Sequence, residues 1–137
     1  MNSKIFKQVE SFAKNMMDAA GRDDEKSFYD FYNQLKCLCD ENNGKKNDHP
    51  VLWETLADFT DDCEESILFY KQAYQIADKL KENEYKASIQ FSLAQRYMEL
   101  SQSLEAKGSL LKAEKFASYT EDEELKREIA EMLKKLD

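Results

Sequence analysis

Two segments of this chain resemble each other at a fixed separation. The segments FYNQLKCLCD (31–40) and FYKQAYQIAD (69–78) share Phe, Tyr, Gln and Asp at an offset of 38 residues. The pair Leu56-Ala57 recurs as Leu93-Ala94 at an offset of 37. Self-similarity at this period is typical of helix pairs that stack on one another, because one pair cannot bury its apolar face alone. The repeat therefore predicts a stack of helix pairs.

The composition agrees with a helical fold. The 137 residues include only three glycines and one proline, and good helix formers such as Glu, Lys, Leu and Ala dominate. We therefore expect an all-α protein. The length suits one domain, and no linker or low-complexity segment divides the chain, so the sequence predicts a single domain over residues 1–137.

Apolar spacing and end signals predict about seven helices. Helix 1 ends at Gly21, Asp23 or Asp24 caps helix 2, Pro50 begins helix 3, and Asp62 opens a capping box for helix 4. The predicted helices cover approximately 3–20, 25–41, 50–60, 63–81, 83–100, 103–118 and 121–136. The first six form pairs over about 3–41, 50–81 and 83–118, and the last helix caps the end of the stack.

The segment FSLAQRYMELSQSLEAKGSLLKAEKFA (91–117) carries small and large apolar residues in a distinctive order. Its spacing resembles the tetratricopeptide repeat, on these residues: Leu93, Ala94, Tyr97, Ala106, Leu110 and Ala113. Helices 3 and 4 match the pattern less well, since their turn is three residues short. The resemblance implies a short right-handed α-solenoid of antiparallel helix pairs that binds partners along its concave face.

The charge balance bears on the kind of partner. The net charge is −8 and the sequence pI is about 4.8. Nucleic acids and anionic membranes require clusters of Lys and Arg, so we expect neither as a partner. An acidic chain suits a basic protein, through steering and complementarity. The alternative is that the acidity only keeps the protein soluble.

Few residues offer catalytic or metal chemistry. The one histidine, His49, lies in the polar loop NNGKKNDHP (42–50), and we interpret it as a solvated loop residue. We interpret Cys37, Cys39 and Cys63 as small buried hydrophobes, because their spacing fits no zinc knuckle. We therefore expect no enzyme, no cofactor and no metal. The odd number of cysteines indicates reduced thiols, and the sequence shows no pattern of a signal peptide or membrane span. We therefore expect a cytoplasmic protein.

An acidic stretch supplies the candidate binding site. No Lys or Arg occurs between Lys46 and Lys71, where seven acidic residues lie. Alignment with the tetratricopeptide pattern places acidic and apolar residues of helices 3 and 5 toward the concave face. The predicted partner-binding residues are Glu54, Asp58, Asp61, Asp62, Phe91, Gln95, Met98 and Glu99. Phe91 and Met98 serve there as apolar anchors, or else they pack in the core and the acids merely cap helix 4.

Two interpretations of function follow from a binding module with an acidic groove. In size, acidity and fold class the chain resembles the immunity proteins of bacterial toxin systems, including contact-dependent growth inhibition. That resemblance implies a protein that binds and neutralises a basic toxin domain such as a nuclease. The alternative is a generic tetratricopeptide adaptor or secretion chaperone that binds a peptide segment. An enzyme acting through Cys63 or a metal is a third alternative.

Overall fold

The computed structural model describes residues 3–136, and all regular structure in that range is helical. Seven α-helices follow one another, which confirms the predicted all-α class. Their bounds are α1 Ser3–Gly21, α2 Glu25–Asn42, α3 Pro50–Asp58, α4 Cys63–Leu80, α5 Asn83–Glu99, α6 Ser103–Ala117 and α7 Glu123–Leu136. The predicted limits agree with these bounds to within about two residues, the usual scatter of helix ends.

Three helices end in the same way. Asp23, Lys81 and Ser101 adopt left-handed conformations with φ of 55°, 56° and 58° after α1, α4 and α5. After each of them the next backbone N–H reaches five residues back, as from Asp24 to the carbonyl of Ala19 at 2.8 Å. This Schellman arrangement usually employs glycine. Gly21 does end α1 as predicted, but the left-handed residue that turns the chain is Asp23.

The helix starts confirm two of the three predicted caps. Asp24 caps α2 by accepting a hydrogen bond from the Ser27 N–H at 3.1 Å. Pro50 is the first residue of α3. The capping box predicted for α4 is wrong, because the side chain of Asp62 accepts no cap hydrogen bond. The acids Glu64 and Glu65 still lie in the first turn of α4, where they favour the positive end of the helix dipole.

The buried apolar residues form two clusters. The first core consists of buried residues from α1, α2, α3 and α4, together with Ile89 and Leu93 of α5. The second core lies between α5, α6 and α7, with Ala94, Ala106, Leu110 and Ala113 fully buried. The small residues of the tetratricopeptide-like pattern are therefore buried in the second core, where α5 and α6 pack closely. On α7, Ile129 is buried and closes the end of the second core.

Lys86 is a buried cation that ties three helices together. Its ammonium lies 2.8 Å from a carboxylate oxygen of Asp78 on α4 and 4.8 Å from the ring centre of Phe116 on α6. The lysine stem is almost entirely covered, whereas the Asp78 side chain is largely exposed. Charge pairing and a cation–π contact together compensate for burying the ammonium.

Candidate functional site

A cleft with a volume of about 510 Å³ lies where two interhelix turns meet. The turn between α1 and α2 contributes Asp23 and Asp24, and Glu25 follows as the first residue of α2. Asp58 is the last residue of α3, and Asp61 lies in the turn between α3 and α4. These five acids define what we call the acidic cleft. Its remaining walls are Ala20, Phe28, Tyr29, Phe59, Thr60 and Arg96. The cleft thus combines carboxylates with aromatic rings.

The two turns are held together by hydrogen bonds and ring contacts beneath the cleft. The Tyr32 hydroxyl on α2 lies 2.7 Å from the Thr60 hydroxyl, which in turn donates to the carbonyl of Leu56 at 2.7 Å. The rings of Phe28 and Phe59 pack with their centres 6.2 Å apart. These contacts fix α2 against the end of α3, so the acids of both turns face one space.

Several of the cleft acids are solvent-accessible charges. Asp23, Glu25 and Asp61 are exposed. The hydrogen bonds from Ser27 lower the pKa of Asp24, so its carboxyl group stays ionised even in mild acid. Carboxylates that line one opening give the cleft a negative potential that attracts positively charged side chains.

Arg96 on α5 is the basic side chain among the described lining residues, and the sequence pattern missed it. Its guanidinium donates to the carbonyl of Thr60 at 3.0 Å and to Glu99 at 3.3 Å. The Thr60 carbonyl follows the end of α3, where unpaired carbonyls accumulate negative potential. Arg96 therefore fastens α5 to this turn and offsets part of the acidity from one side of the cleft.

Glu99, a predicted partner-binding residue, lies in a small network with Arg96. The Cys63 thiol donates to a Glu99 carboxylate oxygen at 2.7 Å, and the Arg96 guanidinium lies 3.8 Å from the same sulfur. The hydrogen bond to Glu99 raises the pKa of Cys63, which disfavours the thiolate. Cys63 is accordingly not an activated nucleophile.

Two predicted site acids accept hydrogen bonds from neighbouring helices. Glu54 on α3 accepts a hydrogen bond from the Ser88 hydroxyl on α5 at 2.8 Å, and burial raises the pKa of its carboxyl to about 7. Asp58 accepts a hydrogen bond from the Tyr70 hydroxyl, and desolvation raises the pKa of Asp58 although the residue keeps an exposed edge on the cleft. The expectation that Glu54 presents a free charge to a partner is therefore wrong.

The remaining predicted site residues divide between the core and the surface. Phe91 is 8% exposed and packs in the second core, so the core interpretation of this ring applies and the anchor interpretation is wrong. Met98 is 37% exposed, and Gln95 is also exposed. Asp62 is exposed but does not line the cleft. Of the eight predicted residues, Asp58 and Asp61 line the acidic cleft.

His49 contradicts its interpretation as a solvated residue. It is 9% exposed, and its ring meets Tyr85 of α5 edge-on with centres 5.1 Å apart. Its Nδ1 accepts the Val51 N–H at 3.1 Å, so the ring caps α3. Burial lowers the pKa of His49, although Glu82 at 3.8 Å from Nε2 opposes the shift. His49 is thus a structural cap.

The cysteines also differ from the prediction that all three are buried. Cys37 is exposed, Cys39 is buried and Cys63 is partly exposed. The Cys39 thiol donates to the carbonyl of Leu52 at 3.3 Å, and burial raises its pKa. Among residues 3–136, no group of three or more His, Cys, Asp or Glu is arranged to hold a metal ion.

The half-buried carboxyl of Glu54 leads to a prediction about pH. The pKa of this carboxyl in the folded state, about 7, exceeds the reference value of 4.5. Between pH 4.5 and pH 7 the folded protein therefore holds a proton on Glu54 that the unfolded chain has lost. Its contribution to stability is therefore present below about pH 4.5 and is lost as pH rises toward 7. Glu54→Gln stays neutral and can keep the Ser88 hydrogen bond. We expect it to raise the free energy of unfolding by about 1–3 kcal/mol at pH 8 and to change it little at pH 4.

Chemical denaturation at the two pH values measures this effect as the difference between variant and parent, which removes the contributions of other titrating groups. Glu84→Gln, at an exposed position on α5, the helix that carries Ser88, is the matched control and is expected to be near neutral at both pH values. If Glu54→Gln destabilises the protein equally at pH 4 and pH 8, the folded state does not raise the pKa of the Glu54 carboxyl.

Comparison with models of protein families, with curated proteins and with solved structures finds no significant match to this chain. Within residues 3–136, no helix has both the length and the apolar character needed to cross a lipid bilayer.

Proposed function

We propose that this chain is a non-enzymatic binding module that takes up a basic segment of another protein in the acidic cleft. The observation that carries the proposal is the combination of five carboxylates and three aromatic rings, Phe28, Tyr29 and Phe59, around one opening. Carboxylates pair with Arg and Lys, and aromatic faces attract the same cations. Tyr29 is exposed at the rim and is available for such a contact.

Arginine suits the cleft better than lysine. A guanidinium can pair with a carboxylate through two parallel hydrogen bonds while its plane stacks on a ring. The acids come from two separate turns, so a partner with several basic residues gains from contacting both. The net charge of −8 adds long-range attraction and raises the rate of encounter.

The packing of the helices is consistent with a short right-handed α-solenoid of the tetratricopeptide kind, which is part of the proposal. Each helix contacts its successor, and contacts also link α1 with α3 and α3 with α5. The Glu54–Ser88 hydrogen bond is one such link between the first helices of neighbouring pairs. In stacked helix pairs these first helices lie side by side and form the surface that binds partners.

The most specific form of the proposal is an immunity protein that occludes a basic toxin domain, such as a nuclease. Small size, strong acidity and a helical repeat support this form. The engagement of His49 as a helix cap and the raised pKa of Cys63 support the absence of catalysis. A generic adaptor or secretion chaperone would instead bind an extended peptide and would need no charge match.

Affinity capture from the cells that make this protein tests the proposal. The bait is the tagged chain, and the key variant is Glu25→Lys combined with Asp61→Lys. We expect a basic protein to bind the parent in a one-to-one complex and to be lost with the cleft variant. Purified partner should show a toxic or nuclease activity that the parent suppresses at equimolar concentration.

The matched control is Glu128→Lys combined with Glu131→Lys on α7, where both acids are exposed. Both double variants change the net charge by the same amount, so only the position of the change differs. A captured partner that is acidic, or one that both variants retain equally, would refute binding at the acidic cleft. A basic partner without any suppressed activity would support the adaptor alternative.

A further inference from the structure

The outward face of α6 carries an apolar stripe that is left exposed by the rest of residues 3–136. Leu104 is 82% exposed, the highest value among the large apolar residues, and Leu111 is 49% exposed. The opposite face of the same helix holds the buried residues Ala106, Leu110 and Ala113. Leu104 and Leu111 lie two turns apart on one side of the helix, with Gly108 between them.

Gly108 has no role inside the chain that requires glycine. It lies in the middle of α6, is not among the residues with positive φ, and a Cβ added to it would meet nothing within 4 Å. Glycine is a poor helix former compared with alanine, so Gly108 weakens α6, and neither its backbone conformation nor its neighbours require a glycine. A missing side chain on an exposed helix face allows the backbone of another helix to approach closely.

Two opposite charges lie beside the stripe, one on either side of Gly108 along the helix. Glu105 lies three residues before it and Lys112 four residues after it, and both are exposed on the same edge of α6. If a second α6 packs antiparallel with its Gly108 opposite, Leu104 of one copy and Leu111 of the other are one residue, about 1.5 Å, from being level, so their side chains can touch. In the same register Glu105 of one copy and Lys112 of the other are offset by the same small distance and can pair.

We infer that the Leu104–Gly108–Leu111 face of α6 is the interface of a homodimer, in which two α6 helices cross antiparallel at Gly108. The face is self-complementary in both apolar shape and charge, as a two-fold interface requires. It is separate from the acidic cleft, which α6 does not line. The dimer therefore leaves both clefts open and does not depend on the proposed function.

Sedimentation equilibrium over a wide range of protein concentration tests the dimer. We expect the weight-average mass of the parent to rise from 16.1 kDa toward twice that value as concentration increases. Leu104→Glu should remain monomeric and should leave the thermal midpoint of dilute protein unchanged, because the Leu104 side chain is largely exposed. Gly108→Gln should raise the thermal midpoint of dilute protein, since it improves the helix, yet it should abolish the dimer by blocking the close approach.

A charge exchange tests the register itself. Glu105→Lys alone and Lys112→Glu alone should each weaken dimerisation by at least about ten-fold, because each places like charges across the interface. The double variant restores both pairs with inverted polarity and should return the dissociation constant to within about three-fold of the parent. A parent that stays monomeric at the highest concentration, or a double variant no better than the singles, would overturn the inference.

Discussion

Leu110→Ala is expected to lower the free energy of unfolding by about 2–5 kcal/mol. Leu110 is fully buried at the centre of the second core, between the alanines of α5 and α6 and the apolar side of α7. Removing three methylene-sized groups there leaves a cavity that closely packed helices cannot close by small shifts. Urea denaturation followed by circular dichroism at 222 nm measures the loss from the change in midpoint.

Leu68→Ala on α4 is the matched control for this prediction. Leu68 is 65% exposed, so the same chemical change should alter the free energy of unfolding by no more than about 0.5 kcal/mol. A loss below about 1 kcal/mol for Leu110→Ala would contradict the packing described for the second core. Equal losses at the two positions would show that helix propensity, not burial, determines the effect.

The position of Leu110 was predictable because the sequence pattern around it is local. Ala94, Ala106, Leu110 and Ala113 recur at helical spacing within one segment, and their small and large sizes alternate as two touching helices require. Helix bounds were predictable for the same reason, since Gly21 and Pro50 act on their immediate neighbours. Helix ends and the packing of two consecutive helices depend on neighbouring residues, and the sequence therefore predicts them.

His49 shows what local reasoning misses. Its neighbours in the sequence are polar, which indicates a solvated loop. Its burial is produced by Tyr85, from a helix far along the chain, and by the contact with Phe6 of α1 at 6.3 Å between ring centres. The position of His49 just before Pro50 nevertheless indicates its role, because that position is the N-cap of α3. A ring nitrogen there can accept a hydrogen bond from a backbone N–H of the first turn.

The candidate site was predictable only in part. The interval without Lys or Arg pointed to Asp58 and Asp61, which do line the cleft. Helical spacing alone does not say which side of a helix the next one covers, and this explains the errors at Glu54 and Phe91. Asp23, Asp24 and Glu25 were missed because they lie one helix pair earlier and reach the cleft through tertiary packing.

The acidic cleft leads to the prediction with the largest effect on binding. A short arginine-rich peptide is the probe, since it presents the chemistry of a basic segment without requiring the natural partner. Glu25→Lys combined with Asp61→Lys should weaken peptide binding by about 30–100-fold, because attraction at two exposed positions becomes repulsion. Isothermal titration calorimetry at low salt measures the dissociation constant.

The matched control again is Glu128→Lys combined with Glu131→Lys, which brings the same change of net charge to α7. If general attraction to an acidic protein governed binding, both double variants would lose affinity alike. Binding in the cleft instead predicts a loss of no more than a few-fold for the control. Tyr29→Ala should add a further loss of several-fold by removing the exposed ring.

Salt dependence separates the two contributions to cleft binding. Raising the ionic strength from about 0.01 M to 0.15 M shortens the screening length from about 30 Å to about 8 Å. Long-range attraction by the net charge of −8 should therefore fade, and association should slow in the parent and, less steeply, in the α7 control, whose two Glu→Lys changes leave a net charge of −4 (−8 + 4). Direct pairing with Glu25 and Asp61 acts at contact distance and is screened less. The affinity gap between the cleft variant and the α7 control should consequently persist at 0.15 M, and a gap that vanishes there would place the peptide outside the cleft.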